Sequence, residues 1–221
     1  MEYGSPLRLP RATQAPKRLF VALRFSADER AMLAQTRDGV LARLCAGRPT
    51  PTENIHLTLA FLGMLDTSGE QRAKEALGVA ADACGPVSLS LGPLGVFEHR
   101  SGGIVWRSVS REVGLLRLQR ILMRELSRLE LPVGEKPFVP HVTLVRGAHP
   151  ARNERCGITP DLQRVCDELS SGLPPLETRH AGVALMWSHH PEGGKLTYTP
   201  ILTMPLRGGE AAGAEPRNPN G

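Results

Sequence analysis

Two segments of this 221-residue chain repeat one small pattern of reactive side chains, His56-Leu-Thr-Leu59 and His141-Val-Thr-Leu144. With 7 His and 12 Thr in the sequence, a bare His-x-Thr has a chance expectation of about 0.4. A second copy, again followed by Leu, takes the odds to roughly one in a thousand. Taken alone, either histidine reads equally as a packed strand residue, with Thr present because β-branched residues suit strands. The duplication points to chemistry.

That chemistry is proton transfer at a phosphate. An imidazole titrates near pH 6.5, so it can give or take a proton close to neutrality. An in-line displacement at phosphorus needs a base for the attacking oxygen and an acid for the leaving one, and two imidazoles across a cleft supply both without a metal. Thr58 and Thr143 would donate hydrogen bonds to the non-bridging oxygens and stabilise their developing charge. The motifs are chemically equivalent, so residue chemistry leaves open which histidine starts as the acid.

The elements that must hold these residues follow from periodicity. Strand alternation over Ile55–Leu62 places His56, Thr58 and Ala60 on one face and Leu57, Leu59 and Phe61 on the core face. In Phe138–Val145 it sets His141 and Thr143 opposite Val142 and Leu144, and Phe138 reads as core. Further strands fit Arg18–Phe25, Val87–Leu91, Gly103–Val109, Ala181–Trp187 and Leu196–Pro205. Helices follow Ser26, an N-cap with Asp28 and Glu29 in the first turn, and a cap at residues 66–68 leading into Glu70–Ala83. Two more cover Val113–Leu129 and about Pro160–Ser170. The result is an α+β fold of two pseudo-symmetric lobes, each offering one imidazole and one hydroxyl to a central cleft, with helices outside.

Composition narrows the remaining choices. The 27 basic and 22 acidic residues give a formal charge of +5 and a pI near 9.4, which favours polyanionic partners. Cys45, Cys84, Cys156 and Cys166 form no CxxC pair, so reduced, mostly buried thiols are expected rather than a zinc or disulfide framework. Nor do His99, His149, His180, His189 and His190 share a repeated context; they read as surface residues and not as metal ligands. No apolar run nears the roughly 20 residues that cross a bilayer, and a cytoplasmic monomer without metal or nucleotide cofactor is expected. Residues 1–17 and 207–221 read as loose tails around a single folded domain, 18–206.

Four segments carry a resemblance: Leu19-Phe-Val-Ala-Leu23, Pro51–Gly63, Lys136–Arg146 and Tyr198-Thr-Pro-Ile-Leu202. Together they resemble RNA 2′,3′-cyclic phosphodiesterases of the 2H phosphoesterase superfamily, historically called 2′-5′ RNA ligases, over about Arg18–Leu206. The resemblance implies a bilobal α+β fold with antiparallel sheets, and hydrolysis of RNA 2′,3′-cyclic phosphate ends to 2′-phosphates. It casts His56 as proton donor to the departing 3′ oxygen and His141 as the acceptor that activates water. It also implies that Arg146 holds phosphate, as a guanidinium fork can. Strict alternation puts Arg146 opposite His141, so it reaches the cleft only where the strand twists or bulges near its end. Pro49, after Arg48, stands where relatives commonly carry an aromatic residue, which removes a base-stacking position there. Two other readings remain: a non-catalytic RNA or nucleotide binding module, and a phosphodiesterase or ligase acting on 2′,5′ linkages.

Overall fold

The run Leu19-Phe-Val-Ala-Leu-Arg-Phe25 offers almost no polar position, so a strand built from it must be covered on both faces. Strand β1 (Lys17–Arg24) is covered in that way: Leu19, Val21 and Leu23 enter the main core, while Phe20 and Ala22 pack on the other side with Ala184, Met186 and Tyr198. The computed structural model describes residues 15–134, 136–151 and 161–208; nearly all of both expected tails, as well as Cys156 and Pro160, lie outside them.

Along the chain, β1 is followed by α1 (Ala27–Leu41), β2 (Leu44–Pro49), β3 (His56–Leu65), α2 (Thr67–Asp82), β4 (Val87–Phe97) and β5 (Gly103–Val109). Then come α3 (Val113–Arg128), β6 (His141–Pro150), α4 (Leu162–Ser170), β7 (Leu176–His180), β8 (Gly182–His189) and β9 (Thr197–Pro205). The strands form one antiparallel sheet in the order β7-β4-β5-β6-β3-β1-β8-β9, with β2 pairing a further stretch of β6. This arrangement has an approximate two-fold axis between β6 and β3. Across it the segment β5-α3-β6-α4 repeats β1-α1-β3-α2, so the α+β architecture of two similar lobes is present. The first lobe is completed by the C-terminal strands β8 and β9. Helix α2 backs that lobe, whereas α1 and α4 lie behind β6 and β4 of the other.

Local chemistry explains the boundaries. Ser26 caps α1 through a reciprocal box, its Oγ accepting from the Glu29 amide and its own amide donating to the Glu29 carboxylate. Asp66 caps α2 by accepting from the Gly69 amide at 2.7 Å. Two strands go beyond the sequence expectation. The stretch before β3, which ends in the Pro-rich residues 48–52, carries no strand expectation, yet Leu44–Pro49 form β2, an exposed edge strand where Pro49 loses nothing by lacking an amide proton. Strand β7 is only five residues long and alternates Leu176, Thr178 and His180 inward. His180 is therefore buried, against the surface expectation, with its imidazole held by Thr178 and the Arg24 carbonyl.

Candidate active site

Strands β3 and β6 are joined by one register pair, Leu57 with Val142, both fully buried. In an antiparallel pair the flanking residues face each other, so His56 comes opposite Thr143 and Thr58 opposite His141, all on the face away from the core. The two imidazoles are thus diagonal neighbours, about 7–8 Å apart at the backbone in a regular ladder. Each motif supplies half of a four-residue block, and the two-fold axis runs through its centre.

Both rings are fixed by the same local device. The Nδ1–H of His56 donates to the Asn54 carbonyl and that of His141 to the Val139 carbonyl, each at 2.7 Å. A carbonyl only accepts, so Nδ1 keeps its proton and Nε2 is the atom that titrates into the cleft. The Nε2 of His56 lies 2.8 Å from the Thr58 hydroxyl. Aromatic walls complete each setting. Phe20 and Tyr198 flank His56 at 4.9 and 5.2 Å, and Phe97 and Trp106 flank His141 at 5.0 and 5.9 Å between ring centroids. The Trp106 ring lies directly over Gly95, where a Cβ would come within 2.5 Å of it.

Asn54, unremarked in the sequence, positions this site. Its side chain is buried, donating to the Leu196 carbonyl and accepting from the Tyr198 amide, which ties the turn before β3 to the start of β9. The same residue's carbonyl orients His56. Its only sequence signal is its place two residues before the motif.

A matched irregularity in β3 and β6 changes which side chains reach the cleft. Against β1, Thr58 pairs with Ala22 and Ala60 with Val21, leaving Leu59 as an extra residue. Against β5, Thr143 pairs with Trp106 and Val145 with Val105, leaving Leu144 extra in the same way. After each bulge two consecutive residues point inward, Leu59 with Ala60 and Leu144 with Val145, all buried. The strands therefore resume with inverted phase. Phe61, expected in the core, is instead 63% exposed on the face of His56 and His141, with its ring 6.1 Å from Phe20, while Ala60 turns inward. Arg146 emerges at the equivalent position of β6, on the side of His141; of the two routes, a twist or a bulge, it is the bulge at Leu144 that brings it there. Gly63 and Gly147 follow with φ of 71° and 61°, backbone angles that favour glycine.

The electrostatics of the site favour neutral rings. Burial lowers the His56 pKa to about 4, opposed by the Asn54 hydrogen bond and reinforced by the charges of Arg146 and His141. Burial also lowers His141, opposed by its bond to Val139 and reinforced by Arg146. Both imidazoles thus feel the Arg146 guanidinium. An anion placed among these groups would reverse the balance, because it stabilises every protonated form around it. Among the described residues, no three His, Cys, Asp or Glu side chains converge as metal ligands, and no helix is long and apolar enough to cross a membrane.

Of the other histidines, His189 stacks on Trp187 at 3.9 Å, while His99, His149 and His190 are exposed. Of the described cysteines, Cys84 and Cys166 are buried thiols and Cys45 is exposed.

Comparison with known proteins identifies the family and the fold. Residues 25–192 match the family model of the 2′-5′ RNA ligase superfamily. An RNA 2′,3′-cyclic phosphodiesterase of Escherichia coli strain K12 is 31% identical over 137 residues, 62% of this chain and 75% of that protein. One of Geobacillus stearothermophilus is 35% identical over 95 residues, a match covering 42% of this chain and only 30% of that relative's length. Among solved structures, Escherichia coli LigT complexed with 3′-AMP has a TM-score of 0.65 and 28% identity, with 86% of this chain and 98% of that one covered. A Thermus thermophilus protein gives 0.68 and 27%, with coverage of 87% and 99%.

Proposed function

The chain belongs to the 2′-5′ RNA ligase superfamily, and on that premise we propose that it hydrolyses 2′,3′-cyclic phosphate ends of RNA to 2′-phosphates by two-histidine acid and base catalysis, without a metal. The observation that carries this reading is the block in which His56 faces Thr143 and Thr58 faces His141 across a single strand pair. The E. coli relative is named for opening cyclic phosphates, and a related fold is known with 3′-AMP bound.

The reaction then runs through the two Nε2 atoms. The cyclic phosphodiester sits between the imidazoles, with its non-bridging oxygens hydrogen-bonded by Thr58 and Thr143 and its charge met by Arg146. His141 takes a proton from water as its oxygen attacks phosphorus. The P–O3′ bond breaks, and His56 passes its proton to the departing oxygen, leaving a 2′-phosphate. This assignment of acid and base follows the family resemblance. Burial pushes His56 toward the neutral form, to about 4, so the bound anion must supply the field that lets His56 carry its proton. The Asn54 carbonyl assists, since its bond to Nδ1–H strengthens when the ring is charged.

The test is an assay on RNA ending in a 2′,3′-cyclic phosphate, in the presence of EDTA, with the product identified. Formation of the 2′-phosphate is expected. Loss of activity on chelation would sink the metal-free mechanism, and selective cleavage or joining of 2′,5′ linkages would favour the alternative reading.

A further inference from the structure

We propose that Arg48, set beside Arg146, holds a second phosphate, the phosphodiester on the 5′ side of the terminal nucleotide, while Arg146 stays with the reacting one. The inference rests on the cyclic phosphate reading and extends it to the RNA strand.

Arg48 on β2 is the direct register partner of Arg146 on β6. Directly opposed residues of an antiparallel pair project from the same face, with Cβ atoms about 4.5–5.5 Å apart. Val145, the residue just before Arg146 on β6, is fully buried, so Arg146 and its partner lie on the cleft side; both are exposed. Like charges set face to face in a sheet oppose its pairing. Elsewhere in the fold Arg37, Arg43, Arg124, Arg128 and Arg164 each meet a carboxylate, but no ion pair among the described residues involves Arg48 or Arg146. Two adjacent guanidinium forks without an acid are suited to two successive phosphates, Arg146 to the reacting one and Arg48 to its neighbour.

The position on the strand says which anion. His141, Thr143 and Arg146 follow one another along β6, and β2 takes up the edge of β6 that β3 leaves. Arg48 therefore lies beyond the reacting phosphate. It is also held there: the Thr50 amide donates to the Leu144 carbonyl at 2.8 Å, and Arg37 binds the Thr50 carbonyl and the Thr52 hydroxyl. RNA with a cyclic end continues only through its 5′ side, so the neighbouring phosphate is the 5′ phosphodiester of the last nucleotide.

The experiment compares a nucleoside 2′,3′-cyclic phosphate with a dinucleotide ending in the same group, using the full chain and its Arg48→Gln and Arg48→Lys variants. In the parent, kcat/KM is higher for the dinucleotide. Arg48→Gln lowers the ratio of the two kcat/KM values about tenfold, chiefly through KM, and Arg48→Lys restores part of it. The salt dependence for the dinucleotide loses about 0.7 in logarithmic slope, the share of one contact to a single strand. A ratio unchanged in Arg48→Gln overturns the proposal. Calorimetric binding of the dinucleotide 2′-phosphate against the nucleoside 2′-phosphate reads the same ratio without turnover. A parent that opens neither substrate thus removes the cyclic phosphate reading, and the second site is still decided.

Discussion

Leu57 pairs with Val142 across the axis that relates the two lobes, and both side chains are fully buried beneath the reactive face. This pair sets the relative register of the two His-x-Thr motifs. Truncating Leu57 to Ala should cost about 2–5 kcal/mol of stability, as for a buried leucine in a well-packed core. Turnover should fall in addition, because slippage between β3 and β6 moves one histidine relative to the other. Urea unfolding and kcat measured on the same variant check both parts; normal kcat in a destabilised variant would show that the register is held elsewhere.

Removing either reactive ring should be severe. His56→Ala and His141→Ala are each expected to lower kcat by about 10² or more, the usual worth of a positioned acid or base. The double variant should be little worse than the poorer single one, since the two groups act as a unit. A single variant within a few fold of the parent removes that histidine from the mechanism.

Stability should weaken on acidification. His56, His141 and His180 all have folded pKa values pushed below that of a free imidazole, with burial the largest cause in each case. The unfolded chain therefore binds more protons, so their contribution is complete above about pH 6.5 and is lost as the pH falls. Thermal unfolding from pH 7.5 to 4.5 should show a falling midpoint, and His180→Phe should flatten part of that slope. A midpoint constant down to pH 5 contradicts it.

The same shifts govern turnover. A cyclic phosphodiester keeps one charge across this range, so kcat/KM against pH reports groups of the free enzyme. The protonated acid becomes rare above its lowered pKa, and kcat/KM should decline toward tenfold per unit on the alkaline side of pH 6.5. A profile level to pH 8.5 would place the proton on another group.

Phe61 is the exposed aromatic ring nearest the reactive block. Its removal in Phe61→Ala should raise KM about tenfold for a cyclic nucleotide, within the usual worth of stacking one base, with little loss of stability. Phe61→Trp should restore binding. An unchanged KM in Phe61→Ala means that the base lies elsewhere.

Much of this was legible in the sequence, because the duplicated His-x-Thr motifs and the helix caps are local signals. The Ser26 cap and the inward Leu57 and Val142 follow from spacing alone. What escaped depends on partners distant in sequence. A bulge at Leu59 or Leu144 arises from how β3 and β6 register against β1 and β5, so alternation carried one residue too far puts Phe61 inside. Strand β2 hides behind prolines that suit an edge, and His180 reads as surface because a five-residue strand offers too little pattern to declare a buried face. Arg48 gains meaning only beside Arg146.

The placement of β8 and β9 against β1 bears on how the molecule is made. The lobe that carries His56 borrows its last two strands from residues 182–205, so during synthesis from the N-terminus its β1 edge stays unpaired until nearly all of the described chain has emerged. The lobe of His141 has its own strands by His180. Assembly is thus weighted toward late, distant contacts, a topology that folds slowly, and a chain cut short after β7 would keep both histidines but expose a hydrophobic edge open to pairing with other chains.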